Sequence, residues 1–478
     1  MQTQRPPQRT ADRFVNDVHS RLNRTRVRAV ERPSSGTEVA ATLRRAARAR
    51  LPVAICGGRH AMGGQAFARD GLLLDLGRLD QVGELDRRAG TVRVGAGIQW
   101  PALIAELRRR DSPGASPLSI VQKQTGADRM SLGGSLAANV HGRVLTRPPI
   151  AEQVESLILV DAAGELRECS RERDAELFSL VLGGYGLFGV VVEVVLRLAP
   201  RQRLRRRVEL RTTEGLVAAF AERRRAGALY GDFQFAIDPE SPDFLRRGVF
   251  SCYEPAREAT GGDPGRALSE SDWLELLYLA HTDKSRAFER YAAHYLATDG
   301  RVYDSDTHQL APYLDDYHER LDPRLAARCP GAAVGSEVIA ELDVPRAELE
   351  AFLRDLRACL RHTAADLVYG TVRLIERDRD SFLAWAREPW ACTVLNLHVE
   401  HTRRGLVRAR ERFRAMQEVA LAHGGTFFLT YQRWADASQL RRAHPRLDDF
   451  LEAQREHDPS GRFGSDWHRW LRRELERS

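Results

Sequence analysis

Gly184-Tyr185-Gly186-Leu187-Phe188-Gly189 spaces its glycines as GxGxxG, and the way this stretch is read decides the fold. The pattern serves a Rossmann domain only where a strand leads in and a helix leads out, because the helix N-terminus receives the pyrophosphate. Here the order is reversed. Residues 174–182 carry helical spacing ahead of the glycines, and Val190-Val191-Val192-Glu193-Val194-Val195 follows them as a strand. The expected fold class is α+β and not Rossmann.

Two further loops are rich in small residues. Gly57-Gly58-Arg59-His60-Ala61-Met62-Gly63-Gly64-Gln65 follows the short apolar run 53–55 and leads into another strand at 71–76. Ser131-Leu132-Gly133-Gly134-Ser135-Leu136-Ala137-Ala138-Asn139-Val140-His141-Gly142 contains a short helix opened by glycines. Consecutive backbone N–H groups in such loops form a concave nest for phosphate oxygens without any Rossmann helix. Three approaches of this kind suit a long, extended ligand better than a single phosphate.

The rest of the chain bounds the answer. At 478 residues it exceeds one core, since domains usually hold ~100–200 residues. Hydrophobic residues make up 43% and charged residues 29%, which supports folded cores and excludes disordered or collagenous classes. The net charge of +7 is carried almost wholly by arginine, with lysine only at Lys123 and Lys284. The run Arg201-Gln202-Arg203-Leu204-Arg205-Arg206-Arg207 alternates with apolar residues as an exposed strand face would, so no nucleic-acid partner is expected. Six cysteines without a CxxC pair read as free thiols, with no metal site. Met1-Gln2-Thr3-Gln4-Arg5-Pro6-Pro7 has no apolar leader and no long apolar run follows, so a cytoplasmic protein without membrane insertion is expected.

Patterning divides the chain into residues 1–200, 201–445 and 446–478. The first part predicts strands at 91–96 and 190–198, a helix at 100–110 and a hairpin from 153–160 to 165–169. The second predicts helical periodicity at 270–296 and 346–361, strands at 366–375 and 393–400, and a helix at 403–422. The third carries Asp458-Pro459-Ser460-Gly461-Arg462-Phe463 and an aromatic tail.

The series PVAICGGRHAMGGQ, TVRVGAGIQWPAL, SLGGSLAANVHGR and LGGYGLFGVV resembles the FAD-binding domain of the vanillyl-alcohol oxidase and p-cresol methylhydroxylase superfamily over roughly residues 25–200. The HGR element, the LGGYGLFG loop and the terminal DPSGRFGSDWHRWL look closest to its sugar-oxidising branch of aldonolactone oxidases, alditol oxidase and decaprenylphosphoryl ribose oxidase. The resemblance implies a two-subdomain FAD-binding domain, residues 1–200, a cap or substrate domain with an antiparallel sheet, residues 201–445, and a C-terminal segment, residues 446–478, returning to the FAD domain. It implies FAD as cofactor, held by Gly57, Gly58, Arg59, His60, Ala61, Met62, Gly63 and Gln65, by Thr125 and Gly126, by Ser131, Gly133, Gly134, Ser135, Ala138, His141 and Gly142, and by Gly184, Gly186, Gly189 and Val190. His60 stands where the aldonolactone and alditol oxidases bond a histidine to the flavin 8α-methyl carbon, although those relatives have Gly-His-Ser where this chain has Arg59-His60-Ala61. The segment 118–132 lacks the cysteine of bicovalent relatives, so one tether at most is expected.

The implied activity is hydride transfer from an alcohol carbon of a sugar, polyol or sugar-bearing small molecule to the flavin, with dioxygen or another electron acceptor closing the cycle. Such chemistry needs a base for the hydroxyl proton and charge or donors near the reduced flavin. Strand alternation makes Asn396, His398 and Glu400 project together from one strand, and Thr371 and Arg373 together from the other. His398 is the first candidate base, because an unperturbed histidine titrates near ~6.5. The run 427–433 resembles the strand that carries an active-site lysine in relatives, with Tyr431 in its place; Tyr431 can donate to substrate, or act as a base beside Arg373 or Arg433. His141 stands where relatives bring a histidine near flavin and substrate. The choice among His398, Tyr431 and His141 stays open, as do two rivals: the oxidative half of a two-enzyme epimerisation, and flavin binding without catalysis.

Overall fold

The computed structural model describes residues 13–256, 268–311, 314, 317–328 and 333–477. The opening stretch 1–7 and Cys329 lie outside them. A small parallel sheet holds Leu72–Asp75 between Ala29–Glu31 and Val53–Cys56. The helix Gly36–Arg48 joins two of these strands. Ser35 caps it by accepting the Glu38 N–H, and Val39, Ala40, Leu43 and Ala46 recur at helical spacing on its buried face.

An antiparallel sheet follows, ordered Leu166–Ser170, Val154–Val160, Val190–Pro200, Thr91–Gly95 and Val82–Asp86, with Leu118–Ile120 also paired to Val190–Pro200. The decisive GxGxxG loop runs from the helix Ala175–Val181 into Val190–Pro200, in the order read from sequence. Gly189 has φ +145° and a Cβ there would lie 2.8 Å from Leu159 Cδ1, so the turn into the strand admits only glycine. The fold is mixed α+β with no Rossmann unit.

Among the described residues the largest sheet has eight strands, ordered Val302–Asp304, Arg203–Thr212, Arg247–Pro255, Tyr230–Phe235, Leu367–Ile375, Trp390–Glu400, Gly335–Pro345 and Thr426–Phe427. All of its pairings are antiparallel. Val338, Ala340, Leu342 and Val344 belong to the same buried core as Phe352, Leu356 and Phe413 from the helices Leu349–His362 and Arg403–Ala422.

Several expectations change. The periodic stretch 270–296 is two helices, Glu270–Thr282 and Lys284–Leu296, broken at Asp283, whose side chain caps the second. Of the run 427–433 only the start is a strand, Thr426–Phe427. Past it the backbone leaves the ladder to serve the glycine loop: Thr430 O accepts the Met62 and Gly63 N–H groups, and Leu429 O accepts the Gln65 amide. The arginine run is not a wholly exposed face, because Arg206 is buried, its guanidinium stacked 4.5 Å from the Tyr295 ring centre. The C-terminal segment pairs with the small sheet, where Val53 donates to Arg462 O and accepts from Gly464 N–H. Among the described residues no helix is long and apolar enough to cross a membrane.

Candidate active site

The three glycine loops meet around one cleft. Its walls include Gly57, Gly58, Arg59, His60, Ala61, Met62 and Gln65 from the first loop, and Ser131, Gly133, Gly134 and Ala138 from the second. Gly184, Gly186 and Gly189 come from the third, and Thr125 and Gly126 from the segment before the second. A Cβ on Gly57 would sit 1.9 Å from Ser131 Oγ, so the first two loops approach as closely as they do only because that side chain is missing. Five expected cofactor residues do not line the cleft. Gly63 N–H is used on Thr430 O, and Ser135 Oγ turns inward to Trp100 and Ser131. Gly142 N–H goes to Gln122, Val190 is sealed in the ladder against Val160, and His141 lies one layer behind.

His60 is buried on the cleft wall, with Nδ1 2.7 Å from Nε2 of His19, a residue that sequence reading passed over. Burial first, and the neighbouring His19 second, push the His60 pKa down to about 3. The ring is therefore neutral at physiological pH, the form in which its nitrogen can act as a nucleophile. Arg59, with φ +58°, turns its guanidinium to Asp75 at 3.2 Å.

The large sheet supplies the far wall, in rows fixed by its register. Asn396 stands beside Ile339 and Tyr369, then Val394 beside Glu341 and Thr371, then Cys392 beside Asp343 and Arg373. Ile339, Tyr369, Arg373, Val394 and Asn396 line the cleft together with Phe428, Thr430 and Tyr431. Glu341 is fully buried within this wall. Its Oε2 accepts the Tyr431 hydroxyl at 2.9 Å and its Oε1 is 3.0 Å from His141 Nε2. Burial opposes its charge, yet His141, Tyr431 and Arg373 hold its carboxyl below the usual range. Asp343, beside it, is driven well above the usual carboxylate range by burial and by Glu341.

These placements correct the sequence reading of the catalytic side. His398 is on the same face as Asn396 but two residues, roughly 7 Å, further along the strand. It lies outside the cleft, with Nδ1 3.3 Å from Glu337 and its ring 4.9 Å from that of His281. Tyr431 faces the cleft, but burial and Glu341 raise its pKa well above the ordinary value, the opposite of the cation-lowered base expected. Arg433 bonds Asn23. Arg373 and Asn396 do reach the cleft, and Arg373 Nε and Nη1 and Asn396 Oδ1 have no hydrogen-bond partner among the described residues. Past Thr125, Gly126, Tyr369, Arg373 and Asn396 the cleft adjoins a second cavity of about 630 Å³.

The residues present suit FAD. The glycine cradle offers backbone donors along the cleft, and Gln124 Oε1, Thr125 Oγ1 and Thr430 Oγ1 are buried in its walls without a partner among the described residues, as a long polar ligand requires. Fold and cleft together define an FAD-binding flavoprotein.

Comparison with known proteins narrows the class. Residues 27–170 match the family model described as FAD binding domain, and residues 336–471 match D-arabinono-1,4-lactone oxidase. The chain thus carries an FAD-binding domain and, toward its C-terminal end, a part similar to D-arabinono-1,4-lactone oxidase, consistent with a flavoprotein of the aldonolactone-oxidase type. It is 30% identical over 216 residues to an uncharacterized oxidoreductase of the fasciation locus of Rhodococcoides fascians, covering 45% of this chain and 47% of that protein. It is 37% identical over 141 residues to mitochondrial L-galactono-1,4-lactone dehydrogenase 2 of Oryza sativa subsp. japonica, covering 30% and 23%. With cytokinin dehydrogenase 3 of the same plant it shares 34% over 160 residues, covering 32% and 29%. The chain thus spans from about a quarter to about half the length of these relatives.

Proposed function

We propose that the protein oxidises an alcohol carbon on a sugar, polyol, aldonolactone or related hydroxylated small molecule. The observation that carries this reading is the Tyr431–Glu341–His141 line at the end of the glycine-lined cleft, flanked by Arg373 and Asn396. Bound FAD supplies the hydride acceptor. Because the Tyr431 O–H is committed to Glu341, the phenol presents oxygen lone pairs to the cleft, where they accept the substrate hydroxyl proton as Tyr431 passes its own to the carboxylate. His141, on the other carboxylate oxygen, orients Glu341 and offsets its charge. Arg373 and Asn396 hold the substrate oxygens. The lactone names of the matched cap model and of the rice relative support a carbohydrate-like substrate.

Two finer readings belong to the same proposal. The neutral His60 ring in the first glycine loop is the tether to the flavin, singly attached. With FAD bound, dioxygen would be the acceptor that closes the cycle, giving hydrogen peroxide. The test is anaerobic mixing of the purified yellow protein with sugars, polyols, aldonolactones and nucleosides, followed by admission of air. Bleaching and then rapid recolouring with peroxide formation is expected. A flavin that no alcohol bleaches would overturn the oxidation, and one that recolours more slowly than turnover with an artificial acceptor would overturn the oxidase reading.

A further inference from the structure

The cavity beyond Arg373 and Asn396 is walled by the helices Glu270–Thr282 and Lys284–Leu296 and by the strands Tyr230–Phe235 and Arg203–Thr212. At about 630 Å³ it has the size of a small-molecule site. Among the described residues its charges do not balance. Arg143, Arg206, Arg301 and Arg373 line it with one carboxylate, Asp232, which pairs with Arg143 at 3.2 Å. Arg206 and Arg373 are each 5% exposed, and neither has an ion-pair partner among the described residues. Arg206 spends Nε on Ser251 and stacks on Tyr295 and Tyr253. Arg373, whose charge also acts on Glu341, leaves Nε and Nη1 without a hydrogen-bond partner among the described residues.

The imidazoles nearby add neither balance nor excess, since burial and the surrounding cations keep His308 neutral. Lys123, next to this group, is already matched by Asp128 at 2.6 Å. Arg206, a buried guanidinium without an ion-pair partner among the described residues, is costly to fold around, and a site of this kind is completed by an anion. Trp273 Nε1, Gln234 Oε1 and Asp232 Oδ1 also lack a partner among the described residues, which adds donors and acceptors suited to hydroxyl groups.

We infer that the substrate is an anionic, hydroxylated molecule, with its alcohol carbon in the flavin cleft and its carboxylate or phosphate held in this second cavity by Arg206. The inference rests on the alcohol-oxidation reading above for the identity of the reacting end. It places the anion one cavity away from the reacting carbon, so charge governs binding more than the chemical step. Arg206, whose guanidinium is fixed by Ser251 and two tyrosine rings, is the specificity-determining residue.

The experiment uses the holoenzyme at low salt with matched sets: a pentose or hexose, its aldonate and its terminal phosphate ester. Half-saturation of flavin reduction is expected at a concentration about 10- to 100-fold lower for an anionic member than for its neutral parent, the range of one or two charge-assisted hydrogen bonds. Preference for aldonates or for phosphate esters identifies which anion the site takes. Arg206→Gln is expected to bring the anionic-to-neutral ratio close to one through KM, with kcat far less affected, and Arg206→Lys to restore part of it. Equal half-saturation across a set, or a ratio unchanged in Arg206→Gln protein that retains its flavin spectrum, would overturn the inference. If no compound bleaches the flavin, the oxidation reading has failed, and the cavity is tested separately by calorimetric titration with inorganic phosphate and D-gluconate. Salt-sensitive binding lost in Arg206→Gln supports the anion site, and absence of binding by both probes refutes it.

Discussion

Glu341→Gln keeps the shape of the buried side chain and removes its charge. In the wild-type protein the two oxygens accept from Tyr431 at 2.9 Å and meet His141 Nε2 at 3.0 Å. An amide supplies one oxygen and one NH2. If the NH2 faces Tyr431, the phenol must turn its own proton toward the cleft, and it can no longer receive the substrate proton. If the oxygen faces Tyr431, the orientation survives but the neutral acceptor no longer takes the proton onward. Both geometries remove the general base, which normally contributes ~100- to 10,000-fold, or about 2.7–5.4 kcal/mol of barrier. Two charge-assisted hydrogen bonds become neutral ones, at a cost of about 1 kcal/mol each, so the fold should survive. The assay is anaerobic stopped-flow reduction of the bound flavin, with the visible spectrum confirming FAD occupancy. Tyr431→Phe should lose a similar factor, and the double variant should be little worse than either single one, because the two groups act as one unit. Reduction within about fivefold of wild type in Glu341→Gln would refute the relay, since no base contributing the stated range could then reside there.

Gly57→Ala should weaken FAD retention on gel filtration by separating the first two loops, since the new Cβ falls 1.9 Å from Ser131 Oγ; a variant that keeps its flavin as wild type does would show that the cradle tolerates opening. Acid precipitation should leave wild-type protein yellow, with the flavin mass on the tryptic peptide containing His60, and should release FAD from His60→Ala; free FAD from both would remove the tether. His398→Gln should reduce flavin within a few fold of wild type, because the ring lies outside the cleft. The same variant has a signed pH dependence. Burial alone would lower the His398 pKa, but the hydrogen bond and charge of Glu337 raise it above the ordinary value. The stabilisation from His398 is thus fully present below the unfolded pKa of ~6.5 and is lost as pH rises through the higher folded value. Thermal melts should show wild type ahead of His398→Gln at pH 5.5 by more than at pH 9; an equal gap would mean that the Glu337 pairing does not perturb the imidazole.

The glycine loops were legible because their information is local. Chain direction around Gly184–Gly189 separates a flavin cradle from a Rossmann turn, and the residue order alone supplies that direction. The strands 247–255 and 335–345 carry no such local mark, and of 203–212 the sequence shows only an arginine-rich start that reads as an exposed face. Arg203–Thr212 is dense in arginine, yet it buries Leu204, Arg206 and Val208 on one face, and what makes Arg206 a core residue is the pair of tyrosines brought by distant strand and helix. Helical spacing across 270–296 could not reveal the break at Asp283, because an aspartate within a periodic run reads equally as an exposed helical position or a cap.

The catalytic side shows where local information ends. Gly335-Ser336-Glu337-Val338-Ile339-Ala340-Glu341-Leu342-Asp343-Val344-Pro345 alternates acidic or apolar positions against apolar ones, and period-two reading gives its faces correctly. It does not say that the acidic face is roofed. Glu337, Glu341 and Asp343 become three different groups only through what lies across from them. Two imidazoles offset the burial of Glu337 and hold its pKa down, His141 and Tyr431 hold that of Glu341 down against burial, and burial with the neighbouring Glu341 drives that of Asp343 up. His398 and Asn396 differ by two residues on one strand, and that displacement decides that one pairs with Glu337 at the rim while the other reaches the cleft. A histidine with a suitable pKa was the natural choice of base from composition. The proposed relay rests on position instead: Tyr431 lines the cleft and donates its hydroxyl to the buried Glu341 carboxylate, where a proton can be passed on.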